Sequence, residues 1–135
     1  MSLPLPPPTI DPDTQPFWDG ARRGALLIQR CRDCGRPQFY PRPRCVRCGG
    51  SIDWIEASGE GRVYSYTVVH RAPHESLVPL VPYVVALVDL AEGVRMMSRV
   101  RAADSDVVQI GAAVRVAFER VSDEVTLPLF EVVGP

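Results

Sequence analysis

Lysine is absent from this 135-residue chain, so all fifteen positive charges are arginine. Guanidinium forks suit phosphate, but composition alone does not assign them that role. No apolar run approaches the roughly eighteen residues of a membrane-spanning helix. The opening Met-Ser-Leu-Pro-Leu-Pro-Pro-Pro lacks a basic start and holds too much proline for a secretory signal. A cytoplasmic location and no membrane partner are the expectations. Histidine is scarce: His70 and His74 are the two in the chain. No G-x-G-x-x-G, P-loop or nucleophile elbow occurs. Ser76 lies beside His74 and Glu75 in a proline-bearing stretch with no evident partner acid, which reads as a loop. No catalytic residue is expected, and turnover by the chain alone is disfavoured.

What is present points to a folded β protein. The length suits one domain, or one small domain with a stapled appendage. Such a chain buries roughly two-thirds of its unfolded surface. An apolar content of 46% excludes disorder as the main state. Nineteen valines tilt the class toward strands. Charge is uneven beneath the net value of −1. Residues 17–50 carry eight arginines against Asp19 and Asp33, whereas residues 51–135 carry seven arginines against twelve acids.

The chain divides by composition. Residues 1–16 are proline-rich and predict an extended arm. Asp13 or Thr14 can cap a short helix with Pro16 in its first turn, running through Phe17, Trp18 and Ala21 toward Gly24. Residues 25–30 read as a strand leading into Cys31. Residues 31–50 are cysteine, arginine, proline and glycine, with little to form a core. After Gly59-Glu60-Gly61 the pattern becomes strand and turn. Strands are expected at 63–70, 83–90 (apolar on both faces), 94–102, 113–121 and 127–133. Their number and spacing predict a small barrel, with the five-stranded OB-fold the natural candidate. The expected fold is mainly β: arm 1–16, helix and metal ribbon 17–58, barrel 59–135.

All four cysteines fall within eighteen residues, as Cys31-Arg-Asp-Cys34-Gly35 and Cys45-Val-Arg-Cys48-Gly49. Two C-x2-C pairs make a tetrathiolate metal site. The two-residue gap lets both sulfurs of a pair face one ion, and the glycine permits the tight turn that aims backbone N–H groups at sulfur. Three occupancies compete: one structural zinc, a rubredoxin-like iron with the same ligands, or two disulfides. Zinc is preferred, as the staple of a segment without a core. Four thiolates leave no open position, so the metal is not catalytic.

Several stretches resemble the family known as domain of unknown function thirty-five. They include Phe17-Trp18-Asp19-Gly20, the run from Leu26 through Gly35, and Phe39-Tyr40-Pro41-Arg42. Gly59 through His70 and Val116-Ala117-Phe118-Glu119-Arg120-Val121 complete the set. The likeness covers roughly residues 15 to 133. It implies a rubredoxin-like zinc ribbon followed by an OB-fold. It further implies a noncatalytic accessory subunit of an acyl-CoA-processing enzyme, of thiolase-fold or enoyl-CoA hydratase type, that aids assembly and acyl-CoA binding.

Two surfaces could serve such a role. Alternation puts Arg95, Met97, Arg99 and Arg101 on one face of a strand, where three arginines can meet acyl-CoA phosphates or simply form a solvated face balanced by acids. Phe17, Trp18, Phe39 and Tyr40 are large apolar groups on a small module and are the expected partner anchors. The competing reading is a nucleic-acid-binding ribbon and OB module, with Tyr64 and Tyr66 as stacking platforms. The acidic barrel disfavours it, because a polyanion needs a basic groove.

Overall fold

The computed structural model describes residues 8–102 and 105–133. Where proline content predicts an arm through residue 16, helix α1 (Gln15–Arg22) already begins at Gln15. Asp11 explains the early start. Its carboxylate accepts from the Thr14 N–H at 2.9 Å and its carbonyl from the Gln15 N–H at 2.8 Å. Pro16 occupies the first turn, where a missing N–H costs no hydrogen bond. Residues 1–7 of the expected arm lie outside the described residues.

Three strands follow: β1 (Leu27–Cys31), β2 (Pro37–Gln38) and β3 (Ile52–Glu56). They form an antiparallel sheet in the order β2-β1-β3. Ile28, fully buried, pairs with Ile55 across this sheet. Gln29 does the polar work inside: its Oε1 accepts from the Gln38 Nε2 and the Arg42 N–H, and its Nε2 donates to the Arg42 carbonyl. That arrangement pins the chain between the two cysteine pairs to the central strand.

The second half is a closed barrel of β4 (Glu60–Val69), β5 (Tyr83–Leu90), β6 (Arg95–Arg101), β7 (Ala113–Arg120) and β8 (Thr126–Val132), in the order β4-β5-β6-β8-β7. This is the OB arrangement: antiparallel neighbours throughout, except one parallel contact between β6 and β8. That contact comprises two residue pairs, Val100 with Phe130 and Arg101 with Glu131. β5 is covered on both faces, with Val84, Ala86, Val88 and Leu90 buried and the alternate residues half-buried. β4 carries a bulge between Val63 and Ser65, which re-phases the strand so that Tyr66 pairs with Ala86 and no longer shares a face with Tyr64; both rings are exposed. The expected loop before β5 contains a 3₁₀ turn (Glu75–Leu80).

One core serves both halves. Phe17, Trp18, Leu26 and Ile28 pack in the same cluster as Val63, Val88, Val114 and Phe130. Helix α1 touches β1 on one side and β7 and β8 on the other. Burying a side chain such as Phe130 completely contributes about 1.5–3 kcal/mol. The linker enters this core closely: at Gly59 (φ +85°) an added Cβ would lie 2.5 Å from Val116 Cγ1. No helix among the described residues is long and apolar enough to cross a membrane.

Candidate functional site

The two cysteine pairs fold into matching knuckles. Gly35 N–H donates to the Cys31 carbonyl at 3.1 Å and Gly49 N–H to the Cys45 carbonyl at 3.0 Å. Both glycines have positive φ, 76° and 75°, a conformation open to them for want of a Cβ. The turns aim amides at sulfur: Asp33 and Cys34 N–H at Cys31 Sγ, and Arg47 N–H at Cys45 Sγ, all between 3.3 and 3.4 Å. All four Sγ atoms lie within 4.8 Å of one another. A metal–sulfur bond of about 2.3 Å requires sulfurs spaced about 3.8 Å apart in a tetrahedron. Cys34 and Cys45 sit at 3.7 Å, Cys31 and Cys48 at 3.4 Å, far beyond the ~2.05 Å of a disulfide.

Backbone amides favour the thiolate at two of the four sulfurs. The Cys48 amide, then that of Arg47, brings Cys45 down to about 6, and the Cys34 amide lowers Cys31. At Cys48 the Gly50 amide pulls downward, but the neighbouring Cys31 thiol and desolvation outweigh it and push the group up to about 12. Three like groups crowded without a cation produce that result, and a bound cation reverses it. The donor set, spacing and N–H to sulfur bonds all fit a tetrahedral metal, as the spacing predicts.

The aromatic residues expected as anchors form a continuous row. Trp18 meets Phe17 edge-on at 4.9 Å, Phe17 meets Phe39 at 5.6 Å, and Phe39 meets Tyr40 at 5.5 Å. The row runs from core to surface, so the expectation needs correction for half of it. Phe17 and Trp18 are 3% and 7% exposed and pack inside this chain, because α1 turns its apolar face onto the barrel. Phe39 is half-buried and Tyr40 is 43% exposed.

All four border an open apolar groove of about 740 Å³ between α1, the ribbon and the barrel. Leu77, Tyr83, Met97 and the Leu127-Pro128-Leu129 segment complete its walls. Sequence reasoning missed it, since its residues come from six separate stretches of chain. One signal was available: Met97 is an apolar residue among the outward arginines of β6.

Those arginines do face outward, opposite the buried Met96 and Val100, and each holds an acid. Arg95 reaches Asp89 at 2.6 Å and stacks over the Tyr64 ring at 3.4 Å. Its hydrogen bond to Asp89 holds that carboxyl below the usual range. Arg99 reaches Glu119 at 2.7 Å and Arg101 reaches Glu131 at 2.5 Å. Arg95 and Arg99 border the groove.

His74 and Ser76 also meet, with Nδ1 and Oγ 2.6 Å apart. The same Nδ1 accepts the Ser76 N–H at 3.1 Å and caps the 3₁₀ turn. The contact is a local cap, consistent with the loop reading.

Comparison with known proteins follows this division. A family model described as "ChsH2, rubredoxin-like zinc ribbon domain" matches residues 18–53, and "ChsH2, C-terminal OB-fold domain" matches residues 54–119. The "DUF35 domain-containing scaffold protein" of Methanothermobacter thermautotrophicus is 36% identical over 105 residues, 76% of this chain and 78% of that protein. The "Probable enoyl-CoA hydratase alpha subunit" of Thermomonospora curvata is 39% identical over 132 residues. That alignment takes in 96% of this chain, which spans 40% of the hydratase subunit's length. Among solved structures, a chain of the "Ltp2-ChsH2(DUF35) aldolase" superposes with a TM-score of 0.84 at 38% identity, covering 93% of this chain and 98% of that one.

Proposed function

Because this chain belongs to the DUF35 family of zinc-ribbon and OB-fold proteins, we propose that it is a noncatalytic accessory subunit of an acyl-CoA-processing enzyme. The observation that carries this reading is the likeness over almost its whole length to a chain of a solved aldolase. Hydratase-subunit and scaffold relatives support the same class. The His74–Ser76 contact is a turn cap, and the scaffold-protein name of the Methanothermobacter relative supports placing the chemistry in a partner chain. The change of sheet between Glu56 and Glu60 supports a division into a ribbon module, 17–58, and a barrel module, 59–135.

One zinc per chain on Cys31, Cys34, Cys45 and Cys48 is the proposed metal. Its chemistry would be a cross-link: four thiolates close the coordination sphere and tie the two knuckles together. The chain's own contribution is the set of backbone N–H groups that stabilise the thiolates.

Arg95, Arg99 and Arg101 are the proposed contacts for acyl-CoA phosphates. Each would exchange a carboxylate for a phosphate, a swap between charge-assisted bonds of one kind. Co-expression with thiolase-fold and hydratase-type subunits of the same genome, followed by steady-state kinetics, tests the reading. Arg99→Ala is expected to leave the assembly intact and raise the apparent KM for acyl-CoA. Acyl-CoA turnover by the chain alone would overturn it.

A further inference from the structure

The two knuckles share more than their cysteines. An arginine stands immediately before each pair, giving Arg30-Cys31-Arg32-Asp33-Cys34-Gly35 and Arg44-Cys45-Val46-Arg47-Cys48-Gly49. Each of these arginines folds back over its own knuckle. Arg30 Nε donates to the Gly35 carbonyl at 3.1 Å, and an Arg44 terminal guanidinium nitrogen donates to the Gly49 carbonyl at 3.2 Å. Both side chains are exposed, and among the described residues neither pairs with a carboxylate, whereas neighbouring Arg32 takes Asp53. Water could solvate either guanidinium, yet the same bond forms twice in two separate stretches of chain.

That bond reaches the sulfurs through the peptide unit it holds. At the second knuckle the unit that gives its carbonyl to Arg44 turns its N–H, on Gly50, to the Cys48 sulfur. A cation on the carbonyl side polarises the amide and strengthens the N–H opposite, as chained hydrogen bonds do. The unit sits hard against the sulfur cluster, since a Cβ added at Gly50 would lie 3.0 Å from Cys31 Sγ. Charge works in the same direction. Four thiolates around a divalent ion leave an excess of negative charge, which a guanidinium on each knuckle offsets.

We propose that Arg30 and Arg44 are positioning residues for the metal, each bracing one knuckle through its glycine carbonyl and so raising the affinity of the four thiolates for a divalent ion. The proposal rests on the structural-metal reading and adds the residues that tune it.

Competition against a chromophoric chelator on the full, zinc-loaded chain tests this. Partners that orient metal ligands carry about 10–100-fold in affinity, and exposed ones belong at the low end. Arg30→Met and Arg44→Met are each expected to weaken zinc binding about tenfold. Methionine keeps the aliphatic stem, so the variants do not read lost packing. Arg30→Lys and Arg44→Lys restore a charged donor and should recover most of the affinity. Arg36→Met and Arg42→Met remove the same charge from the same ribbon without touching a knuckle carbonyl. They should bind zinc as the wild type does. Cobalt substitution gives a second signal. Arg44→Met should move the sulfur-to-cobalt charge-transfer band to lower energy, because a weaker Gly50 N–H leaves the Cys48 thiolate a better electron donor. Arg42→Met should leave the band in place.

All four positions are exposed, so unchanged far-ultraviolet spectra of the zinc-loaded variants establish that they fold. Undiminished affinity in Arg30→Met and Arg44→Met overturns the proposal and leaves the metal reading standing. An equal loss in Arg36→Met and Arg42→Met also overturns it, since the effect would then be one of net charge alone. A wild-type chain that takes up no zinc would bring down the metal reading, and this proposal with it.

Discussion

Trp18 carries the clearest lesson at the scale of single residues. Sequence shows its size but not its direction, so it reads as a partner anchor, yet it lies in the core against Phe17. Trp18→Ala should therefore cost about 3–5 kcal/mol of folding stability, read by chemical denaturation of the free chain. A variant as stable as the wild type would return Trp18 to the surface. The cysteines were fully legible for the opposite reason. Their chemistry is local, and spacing plus a following glycine already dictates a knuckle. Cys45→Ser removes the thiol brought down to about 6 by the Cys48 and Arg47 amides. Elemental analysis of aerobically purified protein should find one zinc per wild-type chain and near none in this variant. A red, iron-loaded sample that bleaches on reduction would displace zinc.

Elements were legible where alternation is clean and illegible where a tertiary contact sets the phase. β5, β6, β7 and β8 fall within a residue or two of their expected bounds. The bulge in β4 escaped notice, since the residues around Tyr64 alternate on both sides of it. The two-residue β2 has no sequence signal at all: it exists because Gln29 and Gln38 bond across the sheet. Between the modules, residues 57–59 are held at two points. Ser58 N–H donates to Glu92 at 2.8 Å, and Gly59 fits under Val116. Gly59→Ala forces a side chain into a left-handed backbone against Val116, which should cost about 1–3 kcal/mol. An unchanged melting temperature would mean the linker can rearrange freely.

For the whole molecule, the continuous core sets what metal loss can do. Chelation should melt the knuckles, yet α1 packs on β7 and β8 as well as on β1. Hydrogen exchange on the metal-free chain should show protection lost over residues 31–50 and kept through the barrel; loss throughout would mean the metal holds up the entire fold. Charge distribution is likewise a property of the whole. With eight arginines over residues 17–50 and an acidic remainder, nucleic-acid binding should be weak and steeply salt-dependent. Submicromolar affinity for single-stranded DNA or RNA near physiological salt would promote the nucleic-acid reading.

Two of the barrel's joints are shorter than the rest. Among the described residues β6 and β8 meet over two residue pairs and β4 and β7 over three, while β5 and β6 meet over six. Beside the β6–β8 link the Ser98 hydroxyl donates to the Pro128 carbonyl at 2.9 Å, and both residues border the groove. A ring breathes first at its short joints, so transient opening should include the line between residues 98–101 and 128–131. Anything seated in the groove would bridge that joint and damp the breathing, like a clasp on a bracelet. The barrel would then report its own occupancy as slowed amide exchange along this one line.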